Sequence, residues 1–350
     1  MKKNVIGIFI SSLFLISAVW AAGGKPNIGS DMEQLGMRLY NDKNMSFNGT
    51  QSCRNCHHHI SGFADITNYL DPETNFVSTG ADGVSKGGRN APSSAYAGYS
   101  PDLHIDDVTG EWGGGMFWDG RADGSVLGDP LAEQAQGPPL NSVEMAMFDK
   151  QAVIDVISNS NYLDLWIRVF GPGSLDDANA AYDNFGRAIA AYERSSDVTK
   201  FTSKFDTSNL SGKEQAGLDL FVENCASCHS TTAEFGAPAP LFTNYKYANI
   251  GVPANPGIPS GPDLGLGPVV GDEAQNGKFK IPTLRNIALS APYSHNGYFS
   301  TLMGMLEFIN DRSSFTPDVA DNLSPAVGDL GLSATDLENI EAFLLTLTDN

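Results

Sequence analysis

The sequence predicts a mostly α-helical protein built in two halves, with long Gly/Pro-rich loops between its helices. Three observations carry that expectation. The pentapeptide Cys53-Arg54-Asn55-Cys56-His57 returns as Cys225-Ala226-Ser227-Cys228-His229. Apolar residues recur at three- and four-residue steps in several separate segments, the period of a helix with one buried face. The chain holds 37 glycines and 19 prolines, and the stretches between those segments, rich in both, show no periodicity, which reads as loop. A chain of 350 residues is long enough for two cores. The expected division is a leader over 1–21, an N-terminal domain over 22–195 and a C-terminal domain over 196–350.

The leader is read from Lys2-Lys3, an apolar run from Val5 to Val19, and Val19-Trp20-Ala21 as a small-residue cleavage site. These are the parts of a secretory signal peptide, with an uncleaved anchor as the alternative. No later stretch is apolar for long enough to cross a bilayer, so no membrane span is expected after cleavage, and the mature protein is expected to be exported, periplasmic or on the cell surface. Asp31 to Leu39 carries Met32, Leu35 and Leu39 at helical spacing and leads into the first pentapeptide.

The spacing C-x-x-C-H is that of covalent c-type haem attachment: two thiols add to the vinyl groups and the adjacent imidazole takes the iron from one side. Cys53, Cys56 and His57 would hold one haem, and Cys225, Cys228 and His229 a second. The competing readings are half of a zinc site or a thioredoxin-like thiol pair. Neither needs a histidine directly after each pair, and 172 positions separate Cys53 from Cys225. All four cysteines are used in this way, leaving none for disulfides. His58 and His59 follow the first motif and read as surface histidines, with a second metal or haem propionates as the functional alternative.

Residues 71–99 are expected to be loop. A second irregular stretch holds Phe117-Trp118-Asp119-Gly120-Arg121-Ala122 and then Gln134, Pro138 and Glu144. Helices are expected over 150–170 and 175–192, the latter with Ala181, Tyr182, Phe185, Ala188 and Ile189 on one face. The polar stretch Glu193 to Ser211 marks the domain boundary. Ser211-Gly212-Lys213-Glu214 reads as a capping box opening a helix that ends at Cys225. Another Gly/Pro-rich excursion, 236–271, precedes Ile281-Pro282-Thr283-Leu284-Arg285-Asn286, and helices over 301–309 and 336–347 close the chain. The formal net charge is -20, which makes nucleic acid an unexpected partner and reads either as solubility or as steering of a basic protein partner by the field.

Taken together these motifs resemble the bacterial di-haem cytochrome c peroxidase and MauG family over nearly the whole mature chain. The resemblance implies two cytochrome c-like haem domains with a calcium ion and a tryptophan between the haems. By position Trp118 is similar to that tryptophan, and Asn90, Ser290 and the carbonyl of Pro292 to the calcium ligands. It also places Gln134, Pro138 and Glu144 over the N-terminal haem, where a peroxidase needs an open iron position and a group that moves a proton between peroxide oxygens. Hydrogen peroxide is then the expected oxidant, and a redox donor protein or a protein substrate the expected partner, with the protein a monomer or a homodimer. The MauG-like proteins of methane-oxidising bacteria, which act beside surface copper-binding proteins, share these features, and no motif separates that branch.

Two positions depart from the family pattern. Peroxidases that need reductive activation carry a histidine in the loop after Ser78-Thr79-Gly80; here it reads Ala81-Asp82-Gly83, which implies an N-terminal iron with one open face at rest. His104 is the fallback ligand. Where the family carries an axial Met or Tyr on the second iron this chain has Ile309, which cannot bind iron; Met305, one turn earlier, or Met303 would have to supply a thioether. The open face tilts the expected activity toward MauG-like oxidation of a protein partner, ahead of peroxide detoxification with a small donor. A non-catalytic di-haem electron carrier is the reading of a different class.

Overall fold

A computed structural model describes residues 30–259 and 261–350; the leader expected over 1–21 lies outside the described residues. Helices supply the long regular elements, and the four strands are two residues each, in two antiparallel pairs: His104–Ile105 with Trp112–Gly113, and Tyr247–Ala248 with Phe279–Lys280. Among the described residues no helix is long and apolar enough to cross a membrane.

Each half is organised by one helix crossing. In the first, Asp31–Asn41 is capped by Ser30, whose side chain accepts from the Glu33 amide. It lies across Ala178–Arg194 so closely that a Cβ on Gly36 would collide with the carbonyl oxygen of Ala188. Leu35, Leu39, Tyr182, Phe185 and Ile189 fill the contact, with Trp166 beneath them. In the second half, Gly212–Asn224 crosses Ala334–Leu345, and a Cβ on Gly217 would collide with the carbonyl of Asn339. Phe221, Ile340, Phe343 and Leu344 are buried there. In both halves the first helix of the crossing runs toward a C-x-x-C-H motif, so the repeat suggested by the motifs extends to the packing of the helices that carry them.

The capping box at Ser211 and Glu214 forms as the sequence predicts, and the helix ends with Cys225 as its C-cap. A single helix over 150–170 does not form. Lys150–Ser158 and Leu163–Phe170 are separate, because Asn159 Nδ2 donates to the Asp155 carbonyl and Ser160 Oγ to that of Ile157, and these side chains compete with the backbone ladder. The start expected at 175 moves to Ala178, where Asp177 caps the amides of Asn179 and Ala180. The stretch 193–211 is not a solvated linker: Glu193, Ser195, Val198, Thr199 and Ser203 are buried. Between the halves Phe63, Tyr96, Val198, Leu241 and Tyr245 form a shared apolar cluster. Arg285, its side chain fully covered, reaches into it, bidentate to Asp206 at 2.7 and 2.9 Å and lying over the Phe201 ring at 4.7 Å.

Candidate active site

Both motif histidines are presented as metal ligands should be. His57 Nδ1 is 3.2 Å from the Phe63 carbonyl and His229 Nδ1 is 2.8 Å from the Phe242 carbonyl, which fixes each ring and leaves Nε2 for iron. Burial lowers the pKa of both, against hydrogen bonds to the backbone at Phe63 and Pro92 for His57 and at Phe242 and Pro282 for His229, which favours the neutral ring that can ligate. The cysteines are unpaired, and burial pushes the Cys56 and Cys225 thiols up to about 12. A redox-active C-x-x-C pair needs the opposite shift. Among the described residues no three His, Cys, Asp or Glu side chains gather as a metal cluster, so a shared zinc site is not built. Beside Cys225, Cys228 and His229 opens a cavity walled by Phe221, Val252, Leu302, Leu306, Ile340 and Leu344, an apolar space suited to a macrocycle. The residues present therefore fit haem.

Met305 and Ile309 line the same cavity as His229, whereas Met303 packs into the apolar core of the second half. The helix Leu302–Asn310 thus places both Met305 and Ile309 along the cavity wall.

At the first motif, Glu144 lies close enough to Cys53 and Cys56 to perturb both thiols, and burial raises its own pKa while Arg121 and the Asn141 amide pull it down. Asn141 Nδ2 donates to Glu144 Oε1 at 2.8 Å. The carbonyl of Glu144 accepts from the Ala81 amide at 2.7 Å, which brings the histidine-free loop against this carboxylate. A Cβ on Gly80 would strike the Val143 carbonyl at 2.5 Å, so that approach requires glycine. Pro138 contributes its carbonyl, accepting from Met145 N at 3.3 Å and so shaping the turn that carries Glu144. Gln134 is half-buried in Pro130–Ala135, and among the described residues its amide has no hydrogen-bond partner. His104 is exposed on its hairpin with Nδ1 2.8 Å from the Asp102 carbonyl, and His58 and His59 stack on each other at 4.4 Å near Arg54.

Trp118 is hydrogen-bonded to two segments, each of which continues to one of the motifs. Its Nε1 donates to the Asn90 carbonyl at 2.9 Å, and the segment from Asn90 continues to Pro92 against the His57 ring. Its carbonyl accepts from Lys280 at 2.8 Å, and that strand continues to Pro282 against the His229 ring. Asn90, Ser290 and Pro292 all line the same cavity. Asn90 Nδ2 donates to the Phe76 carbonyl, which turns its Oδ1 free, and with a hydroxyl and a carbonyl the set is of neutral oxygens, the donor type a hard cation such as calcium takes.

The sequence profile of the family described as di-haem cytochrome c peroxidase matches residues 30–215. The chain belongs to the di-haem cytochrome c peroxidase and MauG family. It is 37% identical to the methylamine utilization protein MauG of Paracoccus denitrificans, with 90% of this chain and 88% of that one covered. It is 30% identical to the cytochrome c551 peroxidase of Nitrosomonas europaea, covering 79% and 72%. Among solved structures it is similar to the dihaem peroxidase BthA of Burkholderia thailandensis at TM-score 0.81 and 26% identity, covering 94% and 88%. It also resembles a MauG-like protein associated with microbial copper homeostasis at TM-score 0.68 and 27% identity, covering 93% and 91%. As a family member the protein is an oxidoreductase, two haems are its implied cofactors, and its activity is peroxide-dependent redox chemistry.

Sequence reasoning missed three groups in this region. Arg89 joins Asp119 and Asp263 and lies over the Phe279 ring at 5.5 Å. His295 is stacked on Phe279 at 3.6 Å in the cavity beside His229, with Nε2 unpartnered. Glu193 is buried behind the first motif. Their long sequence separations left no local signal; a charged residue in an otherwise apolar or glycine-rich stretch was the available hint.

Proposed function

We propose that the protein is an exported, two-domain di-haem enzyme that uses hydrogen peroxide at the His57 site and oxidises a protein partner through the His229 site. Haem, when bound, supplies an iron that exchanges electrons and, at an open position, reacts with peroxide. The residues do the rest. Glu144 takes a proton from one peroxide oxygen and returns it to the other, with Asn141 holding the carboxylate in place. Burial and Arg121 set its proton affinity from opposite sides. Gln134 and Pro138 bound the peroxide side as positioning residues. Trp118 carries oxidising equivalents between the two sites, and Asn90, Ser290 and Pro292 hold a calcium ion beside it. Met305, which lines the cavity with His229, would offer a thioether to the second haem.

The observation that carries this reading is the position of Trp118, hydrogen-bonded at its ring nitrogen to the segment that reaches His57 and at its carbonyl to the strand that reaches His229. Oxidation of a protein partner is favoured over detoxification by the absence of histidine in the loop Ala81-Asp82-Gly83 and by the 37% identity to Paracoccus MauG over 90% of the chain. Replacing Trp118 with Phe tests it. Both haems should remain attached and peroxide should still be consumed at the first site, while oxidation of the second iron slows at least tenfold; unchanged coupling refutes the role of the indole.

A further inference from the structure

Arg89, Arg121 and Lys280 lie near Trp118 together with Asp119 and Asp263, and the three cations are not equally paired. Arg89 donates Nη1 to Asp119 at 2.6 Å and grips Asp263 through Nε and Nη2 at 2.7 Å each. Arg121 Nη1 reaches both oxygens of Asp119, at 3.0 and 2.9 Å. Those two guanidiniums and two carboxylates satisfy one another. Lys280 is left over. Its Nζ donates to the Gly115 carbonyl, lies 3.8 Å from Met116 Sδ and 5.8 Å from the centre of the Tyr245 ring, and forms no ion pair with a described carboxylate. A buried ammonium without a counter-ion is costly, and burial pushes the Lys280 pKa down to about 7 despite Asp119.

Lys280 lines the cavity that holds Cys225, Cys228 and His229. The other lysine or arginine on that wall is Arg285, which is fully covered and committed to Asp206. A haem carries two carboxylates, and the apolar wall of Leu302, Leu306 and Ile340 offers them nothing. The strand that bears Lys280 runs from the Trp118 carbonyl to Pro282 beside His229, and both Lys280 and Trp118 line the space the macrocycle would take.

We propose that Lys280 is the counter-cation of a propionate on the haem held by Cys225, Cys228 and His229, fixing that carboxylate beside Trp118. The inference rests on haem being attached at this motif. Lys280 acts as a positioning and tuning residue: a cation there favours the reduced iron, and removing it favours the ferric state.

The test uses the holoprotein with Lys280→Met, Lys280→Gln and Lys280→Arg. Haem is counted first by pyridine haemochrome; fewer than two haems per wild-type chain would overturn the attachment reading itself, separately from the pairing. Midpoint potentials are then followed by redox titration with EPR, which separates the two ferric irons. Lys280→Met and Lys280→Gln should both shift the reduction equilibrium of the His229 iron toward ferric on the order of tenfold, which is about 59 mV for a one-electron couple, with the His57 iron moving less. Lys280→Arg should restore the wild-type potential. With two haems present, an unmoved His229 potential in the methionine and glutamine variants overturns the pairing. So does a wild-type potential in Lys280→Gln alone, which keeps a donor for Gly115, because Lys280 would then serve only to hold that loop.

Discussion

Glu193→Gln is expected to remove a pH-dependent loss of stability that the wild-type protein carries. Glu193 is 3% exposed, near the end of Ala178–Arg194, and its Oε2 has no hydrogen-bond partner. Ser94 bonds the carboxyl, Ser94 Oγ lies 3.1 Å from the Tyr40 hydroxyl, and Tyr40 donates to the His57 carbonyl at 3.0 Å. Burial pushes the Glu193 pKa from 4.5 up to about 8, with Arg194 and Ser94 pulling less strongly the other way. Below the unfolded value both states hold the proton and nothing is lost. Between the two values the native state keeps a proton that the unfolded chain has released, so stability falls by about 1.4 kcal/mol per pH unit, to a ceiling of about 5 kcal/mol above pH ~8. Gln fills the same space and cannot ionise. Denaturant unfolding of both holoproteins at pH ~5 and pH ~8 should show the variant gaining about 4 kcal/mol on the wild type across that interval, all other groups cancelling in the difference. Parallel pH profiles for the two proteins would refute the buried, protonated carboxyl.

Glu144→Gln should slow the reaction with peroxide by about 10²–10⁴-fold in stopped flow with both haems attached, and a wild-type rate would remove it from proton transfer. Because burial raises its pKa, the acid limb of the wild-type profile should lie above the ordinary value of 4.5, and Arg121→Gln should move it higher, only slightly because Arg121 is half exposed and screened by solvent. Met305→Ala should change the spectrum of the second iron alone, and Met303→Ala that of neither. Arg285→Gln leaves Asp206 buried without its bidentate partner and should cost about 3–5 kcal/mol, read as a lower thermal midpoint.

The helices and the two attachment motifs were legible because their signals are local. The capping box at Ser211, the 3.6-residue periodicity around Phe185 and the C-x-x-C-H spacing each fit within a few turns of chain. The break at Asn159–Tyr162 was missed because periodicity continues through it, while Asn159 and Ser160 turn their side chains onto the backbone. The site was legible residue by residue only where the family resemblance marked it. Glu144 and Trp118 are ordinary residue types whose surroundings come from the 78–92 and 279–282 segments. The charge pattern of Arg89, Asp119, Asp263 and Lys280 spans nearly 200 positions, and Glu193 sits in a stretch whose composition reads as solvated although its side chain is enclosed.

EPR of the resting ferric holoprotein, recorded before and after one equivalent of hydrogen peroxide, bears most directly on the inequality of the two irons. A high-spin signal from the His57 iron that disappears on mixing, beside a second iron with both axial positions filled, is the expected result. Two low-spin signals that peroxide leaves unchanged would contradict it and would make the protein an electron carrier.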